Sequence, residues 1–507
     1  MSAGSPPVPS ADLPVEPGPP ARPARGCRKG CRRGCCGCLL TVATAFLLGA
    51  LILAGFAVIP NSYPAYPGRA RAALGAAGYP STSTLPWLHS NGREILNSAG
   101  DQVLLRGMNV TGLLQAKDMR PGPVPTSRDF AEMAADGFDV IRIPISWSLL
   151  EPRPGRFSRA YLDLLEKVVG EAAGQGIYSI IDMHNIDWSA YYGGDGAPSW
   201  LSAGFLPRSF PAGSPWNRHL APGVLASYGI FWADLGGWQQ DAIQAWTVVA
   251  RAFGHDSAVA AFDLWNEPHP FPIPPGLFEA KFLLPFEARL ISTLARVAPR
   301  QMYMEEQTLD FGLPTYVGKL PYPNQVFSSH VFATLLEPPW QAPVPQYGAP
   351  LRLLESQAQI AGAAPWVGEV GGPPGTAGNA WIAREMNELD AYRLGWAYWD
   401  WNEGGSWAFV KHPSRLRLVA RAYPRATPGR LVSLSYDPST EVLELGIAGP
   451  TRGRQLVVEV PHFLTRFTIS ISLPGPAPRA LLDPATHLLT VDLPEVTGSF
   501  TVRVDFS

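Results

Sequence analysis

Two glutamates end short apolar runs of this chain, and their placement indicates chemistry better than any other feature. Glu267 lies in the segment Ala261–Pro268, and Glu369 lies further along in the segment Pro365–Gly372. Proline or glycine follows each glutamate closely, which is typical of the end of a strand. A pair of carboxylates held at strand ends is the constellation that hydrolysis of a glycosidic bond requires.

Glu267 is predicted to be the general acid/base of such a reaction. A glycosidic oxygen is a poor leaving group unless it is protonated as the bond breaks. An ionised carboxylate nearby would raise the pKa of this acid. Asn266, beside it, is expected to hydrogen-bond the sugar 2-hydroxyl, a contact that strengthens in the transition state. The alternative is structural, with Glu267 only capping the helix that follows.

Glu369 is predicted to be the nucleophile, which must be ionised and must face the anomeric carbon. Arg142, which is assigned to the end of the predicted strand Asp139–Trp147, has the charge needed to keep Glu369 ionised. The alternative for Arg142 is an ion pair on the rim of the fold. Glu403 is a rival nucleophile, although loops in its position more often shape a cleft. Glu305 and Glu306 are expected to be rim or substrate contacts.

Further residues at predicted strand ends are expected to support or bind a substrate. His184 and His330 can each orient a carboxylate or a sugar hydroxyl, and Asp182 is grouped with them. Trp399 can form the floor on which a sugar ring stacks. The alternatives are structural hydrogen bonds for the histidines and core packing for Trp399. Asn109 begins a glycosylation acceptor triplet, but its strand-end position predicts that it lines the site. Three aromatic residues after His184 are expected to line the cleft: Trp188, Tyr191 and Tyr192.

Eight strand-like runs alternate with helical segments from residue 86 to about residue 425. The runs are Val103–Asn109, Asp139–Trp147, Ile177–His184, Val259–Glu267, Gln301–Gln307, Gln325–Phe332, Trp366–Val370 and Gly395–Trp401. Helical periodicity is present in Arg128–Ala135, Ala160–Ala173, Asp241–Phe253 and Phe286–Val297. This alternation predicts an α/β fold, a (β/α)₈ barrel over residues 86–425, whose strand C-termini form the active face.

The helical signal is lost after about residue 425. The runs that follow are Leu431–Tyr436, Val442–Ile447, Gln455–Val460, Phe467–Leu473, Leu488–Leu493 and Gly498–Phe506. They alternate or run apolar between turn residues, which predicts a small antiparallel β-sandwich over residues 426–507. Such a domain can bind carbohydrate or lipid, but bracing the barrel is the favoured interpretation.

The N-terminal region indicates export. Residues 1–38 form a basic, cysteine-rich segment that is expected to be disordered, and residues 60–85 resemble a stalk. Between them, residues 39–59 are uncharged and long enough to cross a bilayer as a helix. The basic flank would stay cytoplasmic, so the rest of the chain would be exported. A cleaved signal peptide is the alternative. The expected location is the cell membrane, with the catalytic domain outside the cytoplasm, or the extracellular space.

The composition of the 507 residues excludes several other classes of function. The net charge of −2 gives no reason to expect nucleic acid as a partner. No glycine-rich phosphate loop is present, and no cofactor or obligate protein partner is expected. No metal is expected either, because no histidine and carboxylate spacing favours three converging ligands. All five cysteines lie between residues 27 and 38. Membrane-proximal, lipidated cysteines are favoured there over a zinc site.

Six features fall in the order seen in glycoside hydrolase family 5, which the chain resembles from residue 86 to about residue 425: Arg142, His184, Leu264–Pro268, His330, Val367–Glu369 and Trp399. The resemblance implies a (β/α)₈ barrel and a retaining reaction through a glycosyl-enzyme intermediate. It also implies that the acid/base ends the fourth barrel strand and the nucleophile ends the seventh, which agrees with the roles of Glu267 and Glu369.

A narrower resemblance is to endoglycoceramidases and the related glucosylceramide- and sterylglucoside-cleaving enzymes. It rests on the segments Asp182–Asn185, Gly193–Trp200, Phe231–Ala233, Ala245–Ala250 and Leu434–Pro438. These enzymes split a glycan from its lipid aglycone, so the resemblance implies a glycolipid or oligosaccharide substrate. A polysaccharide endo-glycanase of the same family is the alternative enzyme. A surface carbohydrate-binding protein without turnover is the alternative from another class.

Two positions depart from the pattern of these families. Family 5 members usually carry His-x-Tyr after the sixth strand, with the tyrosine hydroxyl bonded to the nucleophile. Here the third residue is Phe332, which has no hydroxyl. Asn185 stands where endoglycoceramidases tend to carry glutamine. Another donor is therefore needed to hold Glu369, and the choice of substrate is open.

Overall fold

The computed structural model describes residue 79 and residues 83–114, 123–204, 206–207, 218–270, 273–274, 276–308, 318–333, 348–402 and 407–506. The predicted basic segment, the membrane helix, most of the stalk and Glu403 lie outside these residues. Within the described ranges, no helix is both long and apolar enough to cross a membrane.

Eight parallel strands close into a barrel, which confirms the predicted fold. In chain order, barrel strands 1 to 8 are Arg106–Asn109, Val140–Ser146, Tyr178–His184, Val259–Asp263, Met302–Glu306, Gln325–Phe332, Ala364–Gly371 and Gly395–Tyr398. Neighbours along the chain are neighbours in the barrel, and strand 8 pairs with strand 1. The strands are buried on both faces, which explains why their sequences are continuous apolar runs rather than alternating ones.

Helices cover the outside of the barrel. The α-helices are α1 (Ser127–Ala135), α2 (Trp147–Leu150), α3 (Arg159–Ala173), α4 (Pro222–Trp232), α5 (Trp238–Phe253), α6 (Leu284–Leu294), α7 (Ala349–Ala361), α8 (Thr376–Ala391) and α9 (Leu416–Val419). A π-helical turn, Glu279–Leu283, runs directly into α6. Short 3₁₀ turns are Thr111–Leu113, Ala190–Tyr192, Ser199–Leu201, Arg218–Leu220, Leu235–Gly237, Phe409–Lys411 and Pro413–Arg415. The four helical segments predicted from periodicity correspond to α1, α3, α5 and α6.

Two antiparallel sheets form the predicted sandwich. The larger sheet has the order Leu88–Ser90, Ile95–Asn97, Gln102–Val103, Tyr423–Thr427, Gln455–Glu459, Leu488–Asp492 and Ala480–Leu482. The smaller sheet has the order Arg430–Asp437, Val442–Ala448, Ser499–Phe506 and Phe467–Ile471. Three strands that precede the barrel in sequence therefore complete a sheet of the C-terminal domain.

The predicted first barrel strand, Val103–Asn109, is two strands. Val103 pairs with Ala426 in the larger antiparallel sheet, and the barrel strand begins only at Arg106. Leu104 belongs to the apolar core of the sandwich, whereas Leu105 belongs to that of the barrel. Val103 belongs to the same core as Leu105, so successive side chains of this segment alternate between the two cores. Both cores accept the same residue types, so the sequence shows one unbroken run.

Candidate active site

The guanidinium of Arg142, on barrel strand 2, is the centre of the site. It is fully buried, and its nitrogens reach four carboxylates that come from four other strands. The N···O distances are 3.1 Å to Asp182, 2.8 Å to Asp263, 2.6 Å to Glu306 and 2.8 Å to Glu369. Arg142 lies inside barrel strand 2, Val140–Ser146, and not at its end as predicted. It is not a rim ion pair but the cation that carboxylates from four other strands share.

Glu369 lies near the C-terminal end of barrel strand 7. Arg142 Nη1 donates to its Oε1 at 2.8 Å. Glu267 follows barrel strand 4, which ends earlier than predicted, at Asp263. One carboxylate oxygen of Glu267 and one of Glu369 lie within 4.8 Å of each other. The structure thus brings together the two glutamates on which the sequence analysis based its reaction.

Packing of Trp265, two residues earlier in the chain, helps to hold Glu267 in place. Trp265 is 1% exposed and stacks on Phe231 with ring centroids 4.6 Å apart. The chain then turns, and Glu267 adopts a left-handed backbone with φ of +43°, which non-glycine residues rarely do. Its backbone N–H donates to Glu306 Oε2 at 2.7 Å. A strained backbone held by a buried hydrogen bond is typical of a functional position.

His330, on barrel strand 6, lies between the two glutamates. Its Nδ1 is 2.9 Å from Glu267 Oε1 and 3.7 Å from Glu369 Oε2. Its Nε2 is 3.3 Å from Glu306 Oε1. Burial alone would lower the pKa of His330, but the carboxylates of Glu306, Glu369 and Glu267 raise it well above its ordinary value. His330 is therefore an imidazolium that faces three acids.

The pKa shifts of Glu267 and Glu369 are opposite to those that their predicted roles, acid/base and nucleophile, demand. Burial acts to raise the pKa of Glu267, but the hydrogen bond and charge of His330 lower it below its ordinary value. Burial raises the pKa of Glu369, and the charges of His330 and Arg142 only partly oppose this. Because both carboxylates share His330, they titrate as a pair. These directions favour an ionised Glu267, which is the charge state of an acid/base that has given up its proton.

The two asparagines at strand ends are part of the scaffold around Arg142. Asn109 is fully buried; its Oδ1 accepts from Arg142 Nη1 at 3.2 Å, and its Nδ2 donates to the carbonyl of Gly368 at 3.0 Å. It is not an accessible glycosylation acceptor. Asn266 Oδ1 accepts from Arg142 Nη2 at 3.0 Å, and its Nδ2 donates to the carbonyl of Asn185 at 3.1 Å. Its contact with a sugar 2-hydroxyl stays a prediction.

His184, Asp182 and Trp399 form a second group at the same end of the barrel. His184 Nδ1 is 2.9 Å from Asp182 Oδ2, and this carboxylate raises the pKa of His184 although burial alone would lower it. The imidazole stacks on the indole of Trp399, with centroids 5.7 Å apart and planes at 17°. Trp399 is only half-buried, so the part of its ring that is exposed can accept a sugar face.

Glu305 and Glu306 are both buried, so neither lies on the rim. The sequence analysis missed the role of Glu306, which joins Arg142, His330 and the backbone of Glu267. The available signal was the alternation of a strand: Glu305 and Glu306 must face opposite sides, and one of them must face the barrel axis.

The loop aromatics do not behave as predicted. Trp188 is fully buried and stacks on Trp238 at 5.5 Å, and Tyr192 is 4% exposed, with its hydroxyl 3.1 Å from Ser227 Oγ. Both pack in the protein interior, and the prediction that they line the cleft is wrong. Tyr191 is half-buried. The aromatic side chains fill the space between the loop and α4, and a sequence pattern does not separate that packing from a sugar platform.

The two departures from the family pattern have clear surroundings. The ring of Phe332 packs edge-on against His330 and Trp407, with centroid distances of 6.5 Å and 5.9 Å. Arg142 and His330 are the cations beside the nucleophile candidate, in place of a tyrosine hydroxyl. Asn185 is 2% exposed, and its Oδ1 accepts from the hydroxyl of Tyr228 at 2.5 Å. It supports the loop that carries Trp188 rather than facing a ligand.

Two groups of side chains have spacings that a metal ion could use: Asp182, Asp263 and Glu306, and Glu267, His330 and Glu369. The guanidinium of Arg142 already supplies the cation of the first group. In the second group, a protonated His330 is a poor ligand, because a metal needs the neutral imidazole. The expectation that the reaction needs no metal remains a prediction.

Comparison with known proteins agrees with this geometry. The model of the cellulase family, glycosyl hydrolase family 5, matches residues 96–405. Endoglycoceramidase I of Rhodococcus hoagii is 23% identical over 446 residues, which are 82% of this chain and 88% of that protein. A glucosylceramidase of Rhizopus delemar is 28% identical over 246 residues, which are 37% of this chain and 36% of that protein.

Solved structures show the same architecture. A crystal structure of an endogalactoceramidase is similar with a TM-score of 0.68 at 25% identity, covering 83% of this chain and 100% of that one. The lactosyl-enzyme intermediate of endo-glycoceramidase II from Rhodococcus sp. is similar with a TM-score of 0.67 at 24% identity, covering 81% and 99%. The likeness therefore includes the sandwich as well as the barrel.

Proposed function

The chain belongs to glycosyl hydrolase family 5, and we propose that it is a retaining β-glycosidase that releases the glycan of a glycolipid from its lipid aglycone. The observation that carries the chemistry is the approach of Glu267 and Glu369 to within 4.8 Å across the barrel mouth. Retaining enzymes place their two carboxyl groups about 5–5.5 Å apart, whereas inverting enzymes need about 6.5–9.5 Å to admit a water. An oxygen–oxygen approach within 4.8 Å is consistent with the shorter, retaining spacing.

Two displacements follow from this spacing. In the first, Glu369 attacks the anomeric carbon while Glu267 transfers its proton to the leaving oxygen, which gives a glycosyl ester on Glu369 and a carboxylate on Glu267. In the second, Glu267 accepts a proton from water as that water attacks the anomeric carbon, and Glu369 leaves as a carboxylate. Arg142 stabilises Glu369 whenever it is ionised, since the guanidinium hydrogen-bonds its Oε1.

A lipid aglycone is supported by the relatives and by the surroundings of the site. Proteins named endoglycoceramidase, endogalactoceramidase and glucosylceramidase are similar to this chain. Helix α4 contains no charged residue, and its Tyr228 hydroxyl donates to Asn185, close to the end of barrel strand 3. Leu225 and Ile230 on α4 are incompletely buried, and Leu235 beyond it is 57% exposed. An apolar element beside the catalytic end suits a substrate with a lipid tail.

The proposal includes anchoring of the enzyme at the outer face of a membrane. Its support is the uncharged run of residues 39–59, which follows a basic segment in the sequence. An anchor there would hold the catalytic domain close to glycolipids. Secretion after cleavage of this segment would be consistent with the same proposal.

A panel of substrates tests the activity. The full chain, purified in detergent, is offered a fluorescent glycosylceramide, a sterylglucoside, an aryl β-glucoside and a soluble β-glucan. Release of the lipid from the first or second substrate is expected. Cleavage of the glucan alone would identify an endo-glycanase, and binding of sugar without turnover would identify a carbohydrate-binding protein; both would contradict the proposal.

Substitution of each glutamate tests its role. Glu267→Gln and Glu369→Gln should each lower turnover by at least about 10³-fold. Azide distinguishes the two roles on an aryl glycoside with a good leaving group. Azide should restore turnover of Glu267→Ala with a β-glycosyl azide as product, and Glu369→Ala should give the α-anomer. Near-normal activity of either Gln variant would contradict the assignment.

A further inference from the structure

We propose that Glu306 is a positioning residue for this reaction, and that it keeps His330 charged so that one imidazolium N–H serves Glu267 and Glu369 in turn. The inference rests on the proposed function, because it uses the roles given there to the two glutamates. It concerns a residue that touches no reacting atom and acts through its neighbours.

The first observation is the position of the Glu306 carboxylate. Its Oε2 accepts the backbone N–H of Glu267 at 2.7 Å, and its Oε1 accepts from Arg142 Nη2 at 2.6 Å. The same Oε1 lies 3.3 Å from His330 Nε2. Glu306 thus holds the left-handed backbone of Glu267 by a hydrogen bond and places its negative charge beside the far side of the imidazole. A fixed anion at Nε2 stabilises the protonated form of the ring.

The second observation is the placement of the other ring nitrogen. His330 Nδ1 is 2.9 Å from Glu267 Oε1 but 3.7 Å from Glu369 Oε2. The Nδ1–H of His330 therefore hydrogen-bonds Glu267 in this structure. Only a short movement of the ring separates this N–H from Glu369. A single N–H makes a good hydrogen bond with one of the two carboxylates at a time.

The reaction moves negative charge between the same two carboxylates. Before glycosylation Glu369 is ionised and Glu267 is protonated; after it, Glu369 is an ester and Glu267 is a carboxylate. Deglycosylation reverses both changes. We infer that the N–H of His330 bonds Glu369 in the substrate complex and Glu267 in the glycosyl-enzyme. His330 keeps its proton throughout, so it adds no proton to glycosylation or deglycosylation and takes none from either step.

The groups that face His330 come from each strand packed against it. They are Glu267 after barrel strand 4, Glu306 on strand 5 and Glu369 on strand 7. Phe332, on the same strand, adds only an uncharged ring edge. The charges of Glu267 and Glu369 change during the reaction, whereas that of Glu306 does not. Glu306 is therefore the group that can keep the imidazole protonated through both steps.

The test uses the pH dependence of kcat/KM for an aryl β-glucoside, measured with the full chain. Glu306→Gln keeps the shape of the side chain but removes the anion, so the pKa of His330 should fall. The imidazolium is then lost at lower pH, and the alkaline limb should move to lower pH by about one unit. Glu306→Asp should restore the limb at least in part. An alkaline limb of Glu306→Gln identical to that of the wild type would overturn the proposal.

Glu305→Gln is the matched control, because it removes a buried carboxyl from the neighbouring position of the same strand. Its alkaline limb should match the wild type, and thermal unfolding of each variant shows whether it is folded. A shift of equal size in Glu305→Gln would mean a general change in the barrel, which also overturns the proposal.

A double-mutant cycle shows whether Glu306 acts through His330. Loss of the Glu306 charge also changes the pKa of Glu267 directly, and this direct effect persists when His330 is replaced. In the His330→Asn background, Glu306→Gln should therefore move the limb by clearly less than in the wild type. Equal shifts in both backgrounds would rule out action through His330.

Labelling separates failure of this inference from failure of the proposed function. A 2-deoxy-2-fluoroglycoside should trap a covalent ester on Glu369 of the wild type. Without turnover or labelling of the wild type, the proposed function is wrong. With labelling at Glu369 but unchanged limbs, only the role of Glu306 is wrong.

Discussion

Glu305 and Glu306 are adjacent on barrel strand 5 and equally buried, yet their surroundings are electrostatically opposite. Glu306 faces the barrel axis, where His330 and Arg142 overcome the effect of burial and hold the pKa of its carboxyl well below the ordinary range. Glu305 faces the helical layer, where burial raises the pKa of its carboxyl to about 8. The same side chain is thus ionised on one face of the strand and protonated on the other.

The outward face carries a small cluster of acids without a base. Glu305, Glu287 on α6 and Glu279 in the π-helical turn are each at most 3% exposed, and each has one carboxylate oxygen without a hydrogen-bond partner. None forms an ion pair within the described part of the chain. Burial and the carboxyls of its neighbours raise the pKa of Glu287 well above its usual value. The raised pKa values of Glu305 and Glu287 mean that protons, rather than cations, keep these two carboxyls neutral.

The inward face has five carboxyls and three bases: Asp182, Asp263, Glu267, Glu306 and Glu369 against Arg142, His184 and His330. Even here burial and the Glu306 carboxylate raise the pKa of Asp263 well above its ordinary value, although the charge of Arg142 opposes this rise. The difference teaches that burial and a shifted pKa do not identify a reacting group. What separates the two faces is the supply of cations and access from the barrel mouth.

The largest effect is expected when the cation of the inward face is removed. Arg142→Met leaves several buried carboxyls without their shared partner, which should cost about 3–5 kcal/mol of unfolding free energy. Turnover should also be lost, since nothing then stabilises ionised Glu369. Urea denaturation and an aryl glucoside assay measure the two effects. Arg142→Lys keeps the charge but cannot span four carboxylates, so it should recover stability in part without recovering activity. A Met variant as stable as the wild type would contradict the central role of Arg142.

An intermediate effect is expected when Glu305, on the outward face of barrel strand 5, is replaced. This effect concerns stability alone. With a folded pKa of about 8 and an unfolded pKa of about 4.3, the Glu305 carboxyl retains its proton longer in the folded state. The unfolding free energy should therefore fall as pH rises through this window, by up to about 1.4 kcal/mol per pH unit. Glu305→Gln mimics the protonated form and should flatten this fall.

Urea denaturation at pH 5 and pH 8 measures the change. The Gln variant should be close to the wild type at pH 5 and more stable at pH 8, with unaltered turnover at the pH optimum. Glu306→Gln is the control for direction, because its carboxyl is ionised in the folded protein and should give no gain at pH 8. Parallel losses of stability in the wild type and in Glu305→Gln would mean that Glu305 does not titrate in this window.

Local sequence patterns predicted the inward face better than the outward one. Strand-like runs and their punctuation located Glu267 and Glu369 at strand ends, because a parallel barrel brings all its strand C-termini to one face. The roles of Glu306 and His330 around them depend on distances between strands 4, 5, 6 and 7. Such distances are a tertiary property, and the alternation of one strand says only that Glu305 and Glu306 face apart.

Other differences between the predictions and the structure arose where two environments accept the same residue types. The run from Val103 lies between two apolar cores that its side chains enter alternately, so its division at Arg106 left no mark in the sequence. Trp188 had the composition of a sugar platform but fills the interior beside Trp238. The acids Glu279 and Glu287 lie in helical segments whose polar positions would ordinarily face solvent, yet both are buried. In each case the neighbouring element decided the outcome.

The smallest effect is expected from adding a donor to the inward face. Phe332→Tyr introduces the hydroxyl that family members usually carry, and this hydroxyl is expected to donate to Glu369, the proposed nucleophile, which already contacts Arg142. A donor to the ionised form lowers the pKa of a carboxyl, and burial raises that of Glu369 here. The ionised nucleophile would then persist to lower pH, so the acidic limb of kcat/KM should move down by about half a unit. Turnover at the optimum should change less than about threefold, because the bond is made before the transition state as well as in it.

Phe332→Leu controls for lost packing against Trp407 and should leave the acidic limb in place. If the Tyr variant also leaves it in place, the hydroxyl does not reach Glu369, and Arg142 with His330 alone sets the charge of the nucleophile.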